Sequence, residues 1–119
     1  MKKVIIAGTR YFNNYELLRK TCDEILAGKS DIVIVSGRAT GADILGERYA
    51  TEKGNRVIRF LPDWNKYGKA AGPIRNKQMA EASDTLIAFW DGKSRGTKSM
   101  IDLARQNRLN VHAIDYTKI

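Results

Sequence analysis

The segment Ile32-Val33-Ile34-Val35-Ser36-Gly37-Arg38-Ala39-Thr40-Gly41-Ala42-Asp43 limits what this chain can fold into more than any other. It opens as an unbroken β-branched run, the composition of a strand buried on both faces of a parallel sheet. At Ser36-Gly37 the run gives way to a short loop closed by Thr40-Gly41. From Asp43 the apolar spacing turns helical, with Ile44, Leu45, Tyr49 and Ala50 on one face. A buried strand feeding a helix in this way is the building unit of a parallel α/β sheet. The loop ends at a helix N-terminus, where unpaired backbone N–H groups and the helix dipole favour phosphate or another anion. A tight turn needs the same small residues for geometry alone, so the loop by itself leaves both readings open.

Two better-known phosphate signatures are absent. Gly37-x-x-x-Gly41 lacks the three glycines of the dinucleotide fingerprint. Gly92-Lys93-Ser94 resembles the end of a P-loop, but Ile87 stands where that motif requires its earlier glycine.

The rest of the chain repeats the strand–helix alternation. Val4-Ile5-Ile6-Ala7 reads as a first buried strand, followed by a helix that starts near Asn13 and Glu16 at capping-box spacing. Leu17, Leu18, Cys22, Ile25 and Leu26 form its apolar stripe, which ends near Gly28. Arg56 to Leu61 has the interleaved polarity of a strand nearer an edge. A loop over Pro62 to Gly72 precedes a helix whose first position suits Pro73. Asp84 to Trp90 is the fourth strand and Asp91 to Thr97 its loop. A helix bearing Met100, Ile101, Leu103 and Ala104 follows, and Val111 to Ile114 is the last strand. The expectation is a Rossmann-like three-layer α/β/α domain spanning residues 1–119, with a parallel sheet of about five strands ordered 3-2-1-4-5.

Composition sets the outer limits. With 119 residues, 43% of them hydrophobic and 29% charged, the chain suits one soluble domain. No apolar run approaches the ~20 residues of a membrane span. Met1-Lys2-Lys3 begins like a signal peptide, but the apolar run ends at Gly8, short of the about 7–15 residues of an h-region, so a cytoplasmic location is expected. The single cysteine, Cys22, excludes an intrachain disulfide and a cysteine-cluster metal site. No metal or cofactor is expected. A net charge of +8 suits an anionic partner, either a phosphorylated small molecule or nucleic acid.

In an open parallel sheet, ligands bind at the carboxyl ends of the strands. The unusual loops of this chain all follow strands: Gly8-Thr9-Arg10, Ser36 to Asp43, Trp64 to Arg75, and Asp91 to Thr97. The reverse turns at Gly28-Lys29-Ser30, Gly54-Asn55 and Leu109-Asn110 are short and plain. Chance placement of turn residues does not produce that asymmetry. Trp64, Tyr67 and Trp90 fall on the same rim, where an aromatic face stacks a base and arginine assists. Trp64 suits a lid and Trp90 suits a lid or the core. His112 and Ser36 have no partners at triad spacing, which leaves a Ser-His-Asp hydrolase without support.

Taken together, Gly8-Thr9-Arg10, Ser36-Gly37-x-x-x-Gly41-Ala42-Asp43, Gly72-x-x-Arg75-Asn76 and Asp91-Gly92-x-Ser94-x-Gly96-Thr97 resemble the YspA/YpsA-related branch of the SLOG superfamily. That superfamily is named after the DNA-processing protein DprA (Smf) and the Lonely-guy cytokinin-activating enzymes. The resemblance implies a Rossmann-like fold binding a nucleotide or a derivative such as ADP-ribose. By motif it implies phosphate contacts from Gly37, Gly41, Gly96 and Thr97. The motifs and the rim loops together give a wider set of expected ligand contacts: Gly8, Thr9, Arg10, Ser36, Thr40, Ala42, Asp43, Trp64, Arg75, Asn76, Trp90, Ser94 and Arg95. Arg75 matches the arginine of the Lonely-guy ribose-phosphate site. The glutamate those enzymes carry after the Gly-Thr pair is missing from Lys98-Ser99-Met100. Asp43 or Asp91 then stands in as the catalytic carboxylate near C1′, or Asp43 simply stabilises its helix N-terminus.

Three functions follow, in decreasing rank. The first is a module that senses or sequesters a nucleotide-derived ligand. The second is a phosphoribohydrolase-like enzyme that cleaves an N-glycosidic bond. The third is a binder of single-stranded nucleic acid, which needs basic and aromatic residues along a groove rather than converging loops. A homo-oligomer is compatible with each.

Overall fold

The computed structural model describes residues 1–119. Five strands, β1 (Lys2–Gly8), β2 (Ile32–Ser36), β3 (Arg56–Arg59), β4 (Thr85–Trp90) and β5 (Asn110–Asp115), form one sheet in the order β3-β2-β1-β4-β5. Every neighbouring pair is parallel. Strand composition explains the order. Val4, Ile5, Ile6, Ile34, Val35 and the run Leu86 to Phe89 are fully buried, so β1, β2 and β4 occupy the interior of the sheet. β3, with Arg56, Ile58 and Arg59 exposed, closes one edge.

Side chains on successive residues of a strand point to opposite faces, and the two cores divide accordingly. On one face Val4, Ile6, Ile34, Ile87 and Phe89 pack with Leu18 and Cys22 of α1 (Tyr15–Ile25) and with Tyr49 and Ala50 of α2 (Ala42–Lys53). On the other, Ile5, Ala7, Val35, Leu86 and Ala88 pack with Met79 and Ala80 of α4 (Ala71–Ala82). Met100, Ile101 and Ala104 of α5 (Arg95–Gln106) complete that face. Each fully buried Leu, Ile or Met contributes about 1.5–3 kcal/mol. This is the expected three-layer α/β/α fold.

Several local readings are corrected. Asn14, not Asn13, caps α1, its side chain accepting from the Leu17 N–H. Ile44 is exposed; the buried face of α2 carries Ala42, Asp43, Gly46, Glu47, Tyr49 and Ala50. Gly46 sits where a Cβ would meet Ile6 side-chain atoms at 2.8 Å, so its absence lets α2 rest on β1. Residues 62–72 are not one loop: α3 (Trp64–Tyr67) and a 3-10 turn (Gly68–Ala70) lead into α4, which starts before Pro73. Arg95, Gly96 and Thr97 belong to the first turn of α5 rather than to the preceding loop.

Candidate functional site

The chain builds β1, β2 and β3 outward in one direction and returns to place β4 on the other side of β1. The loops after β1 and β4 therefore diverge, and a crevice opens between them at the switch point. A cavity of about 490 Å³ lies there. It takes lining from the end of β1, from the loops that follow β1, β2 and β4, and from α2, α4 and α5.

The β1 end contributes Ala7, Gly8, Thr9, Arg10 and Tyr11. The Thr9 N–H donates to the Phe89 carbonyl at 2.9 Å, and the Thr9 hydroxyl accepts from the Asp91 N–H at 3.2 Å, which ties the two diverging loops together. Gly8 is fixed by the same packing, since a Cβ would lie 2.2 Å from the Phe89 carbonyl oxygen.

The β2–α2 loop enters with Ala39, Thr40 and Asp43. Its shape depends on Gly41, which caps α2 at φ 86° and ψ −129° without any side-chain bond to the helix. That conformation is nearly confined to glycine. A buried carboxylate, Glu47, holds the outer side of the loop. It accepts from the Ser36 hydroxyl at 2.7 Å, from Arg38 at 2.8 Å and from Arg59 at 2.9 Å. These donors pull the Glu47 carboxyl below its usual range against the opposing effect of burial.

Asp43 is the other buried acid, 5% exposed and facing the cavity. Burial pushes its carboxyl up to about 6. The Ala39 N–H at 3.4 Å, the charge of Arg75 and the nearby Gly37 and Gly8 amides offset only part of that. Arg75 stands opposite, half-buried, on the second turn of α4. Its guanidinium donates to the Gly37 carbonyl and, through Nε, to Asn76 Oδ1 at 2.9 Å. The ion pairs of the region, Arg38–Glu47 and Arg59–Glu47, leave Arg75 out. Gly37 makes this approach possible: a Cβ there would meet Arg75 at 2.8 Å and Asp43 at 2.9 Å.

The β4–α5 loop closes the cavity with Asp91, Lys93, Ser94, Gly96 and Thr97. Asp91 Oδ1 accepts from the Lys93 and Ser94 N–H groups at 2.8 and 2.7 Å, an Asx turn that holds its carboxyl below the ordinary range. Ser94 then caps α5, accepting from the Thr97 N–H. Met79 and Met100 form an apolar floor.

Of the residues expected from sequence, Gly8, Thr9, Arg10, Thr40, Asp43, Arg75, Asn76, Asp91, Ser94, Gly96 and Thr97 come together around this one cavity. Ser36, Gly37, Gly41 and Ala42 lie behind it and shape the loop instead. Arg95, exposed in the first turn of α5, does not line the cavity. Trp90 donates its indole N–H to the Ser94 carbonyl at 3.0 Å and packs on the α4–α5 core. Trp64 is 59% exposed on α3, and Tyr67 flanks a separate shallow groove. His112 lies on β5, paired with Ile87, away from the cavity. Sequence reasoning passed over Tyr11, Ala39 and Lys93. Ala39 and Lys93 lie in strand-end loops already singled out and Tyr11 directly follows Gly8-Thr9-Arg10, so the rim rule applied one residue further would have included all three. Met79 and Met100 carry no signal that separates them from ordinary core methionines.

The fold and this crevice define a doubly wound α/β domain with a polar cavity at its switch point. The chain belongs to YAcAr, the YspA, cpYpsA-related SLOG family, whose model matches residues 2–67. It is 32% identical over 105 residues to the Gene 61 protein of Mycobacterium phage D29, covering 82% of this chain and 84% of that protein. Among solved structures it is similar to DNA processing protein A (DprA) from Streptococcus pneumoniae, with a TM-score of 0.70 and 21% identity. That match covers 94% of this chain and 49% of DprA, so the chain spans about half of the DprA chain. TM1055 is a second match, with a TM-score of 0.67 and 24% identity over 93% of this chain and 72% of its own. At these identities the two structures support the shared fold.

Proposed function

We propose that this protein binds a nucleotide or nucleotide-derived small molecule, of the ADP-ribose kind, in the β1/β4 crevice, as a sensing or sequestering module. The observation that carries the reading is the convergence of the α5 N-terminus, Arg75, Arg10 and Lys93 on one cavity at the switch point. Helix N-termini and guanidinium forks are suited to phosphate. About 490 Å³ lies within the ~300–1,000 Å³ range of small-molecule sites. Asp43 and Asp91 supply the acceptors that ribose hydroxyls need. Membership of the SLOG family agrees with a nucleotide-related role.

A second reading, cleavage of an N-glycosidic bond, is favoured by the two carboxyls. Their surroundings separate them: Asp43 is pushed up to about 6 and Asp91 is held down. Such a pair can divide the work: protonated Asp43 gives its proton to the departing base, Asp91 stabilises the positive charge at C1′, and water adds there and returns a proton to the Asp43 carboxylate.

Calorimetric titration with AMP, ADP-ribose and a short DNA single strand tests the first reading. Saturable one-to-one binding of AMP or ADP-ribose, weakened severely by Arg75→Ala, supports it. Binding to the strand alone, falling steeply with salt, overturns it in favour of nucleic acid. Release of adenine from AMP, lost in Asp43→Asn, would promote the enzyme reading.

A further inference from the structure

Tyr11 is the only aromatic residue lining the cavity. It is 84% exposed, and it sits in a segment otherwise held in place. On one side the Thr9 N–H is bound to the Phe89 carbonyl. On the other, the Phe12 N–H donates to the Thr9 carbonyl at 3.1 Å, and the Phe12 ring is buried, stacked on Phe89 at 4.9 Å and edge-on to Tyr116 at 4.8 Å. From below, Gly41 packs against the Thr9 and Arg10 carbonyls so closely that a Cβ would lie 2.4 Å away. The backbone that carries Tyr11 is therefore fixed, while its ring touches no other aromatic ring and no cation, and its phenol has no partner within the protein.

The other aromatic residues on the rim are committed elsewhere. Trp90 is bound through its indole to Ser94 and packed on the core, and Trp64 stands outside the cavity. We infer that Tyr11 is the stacking platform of the site: it takes the planar heterocycle of a nucleoside phosphate, leaving Arg75, Lys93 and the α5 N-terminus to the phosphate. The inference deepens the nucleotide-binding reading and rests on it. An aromatic side chain on an already ordered backbone is an effective stacking surface, because only its two side-chain torsions have to be fixed on binding. Stacking is tolerant of base identity. Arg10, exposed beside Tyr11 and lining the same cavity, is placed to add a cation–π contact from the edge of the stack.

The test compares wild type, Tyr11→Ala and Tyr11→Phe by calorimetry with two probes, AMP and ribose 5-phosphate. Tyr11→Ala should raise the Kd for AMP about tenfold or more, in line with the loss of one base–aromatic stack. Tyr11→Phe should bind AMP as wild type does, since the ring and not the hydroxyl is used. Ribose 5-phosphate should bind all three proteins alike. An unchanged AMP affinity in Tyr11→Ala overturns the inference. So does an equal loss for ribose 5-phosphate, which would assign Tyr11 to loop geometry. Melting temperatures guard the comparison, and so exposed a side chain should leave them unchanged. If wild type binds neither probe, the nucleotide reading fails and this inference with it, a result distinct from AMP binding that is indifferent to Tyr11.

Discussion

Asp43→Asn should stabilise the protein at neutral pH and not at acidic pH. The Asp43 carboxyl is raised from 3.8 to about 6, chiefly by burial, with the Ala39 amide, the Arg75 charge and the Gly37 and Gly8 amides only partly compensating. Two pH units correspond to about 3 kcal/mol between the two protonation states. The sign follows from which state binds the proton more tightly. Below about pH 4 the carboxyl is protonated in folded and unfolded chains alike, and Asp43 contributes nothing. Above about pH 6 it is ionised in both, and the folded chain carries the full desolvation penalty. Stability is therefore lost as pH rises between these limits. Asparagine keeps the shape, can still accept from Ala39 and has nothing to ionise.

The assay is urea unfolding of wild type and Asp43→Asn across about pH 4 to 7. The stability of the whole protein obscures the acidic end of the effect, because Glu47 and Asp91 are shifted the other way and gain stability as pH rises through their unfolded values near 4.5 and 3.8. The difference between the two proteins isolates it. That difference should climb by about 3 kcal/mol from the acidic end to the neutral end. A constant offset at all pH values would refute the assignment of Asp43 as a buried, desolvated acid.

Gly41→Ala should destabilise the fold by about 3 kcal/mol or more, because its φ of 86° and ψ of −129° exclude a side chain and a Cβ would lie 2.4 Å from the Thr9 carbonyl oxygen. Gly28→Ala is the control: its φ is also positive, but nothing lies within 4 Å, so denaturant melts should show a loss of only about 1 kcal/mol. The Cys22 thiol, fully buried and pushed up to about 12, should not react with an aromatic disulfide reagent at neutral pH until the chain unfolds. Stoichiometric labelling of native protein would contradict its placement in the core.

The interior strands were legible because burial on both faces leaves an unbroken run of apolar residues, as in Ile32 to Val35 and Leu86 to Phe89. Their order is the one expected from right-handed crossovers and a switch point beside the first strand. What stayed hidden depended on contacts distant in sequence. Ile44 looked inward on a helical wheel, yet α2 turns Asp43 and Glu47 to the protein instead, because partners such as Ser36, Arg59 and Arg75 are there to receive them. Pro73 was read as the first helical residue. It occupies the third position, where the missing N–H costs equally little because the first turn of a helix has no intrahelical acceptors for those groups. The aromatic residues misled for a similar reason: indoles in loops attract attention, whereas Tyr11 gains its place from the burial of its neighbour Phe12.

The glycines of the rim separate tight geometry from ligand access, two readings that the sequence left equivalent. Gly8, Gly37 and Gly41 each have an internal reason to lack a side chain, since a Cβ would run into Phe89, Arg75 or Thr9. They would be required in a protein that bound nothing. Gly96 is different. It lies in the first turn of α5 with ordinary helical backbone, it lines the cavity, and a Cβ there would meet no protein atom within 4 Å. Glycine in a helix is less stable than alanine by about 1 kcal/mol, so folding alone disfavours it at this position. On the proposed nucleotide-binding reading, close approach of a phosphate to the amides of the α5 N-terminus would offset that cost. The packing glycines build the crevice, and on the same reading the glycine without a packing role is where a bound phosphate would come closest to the backbone.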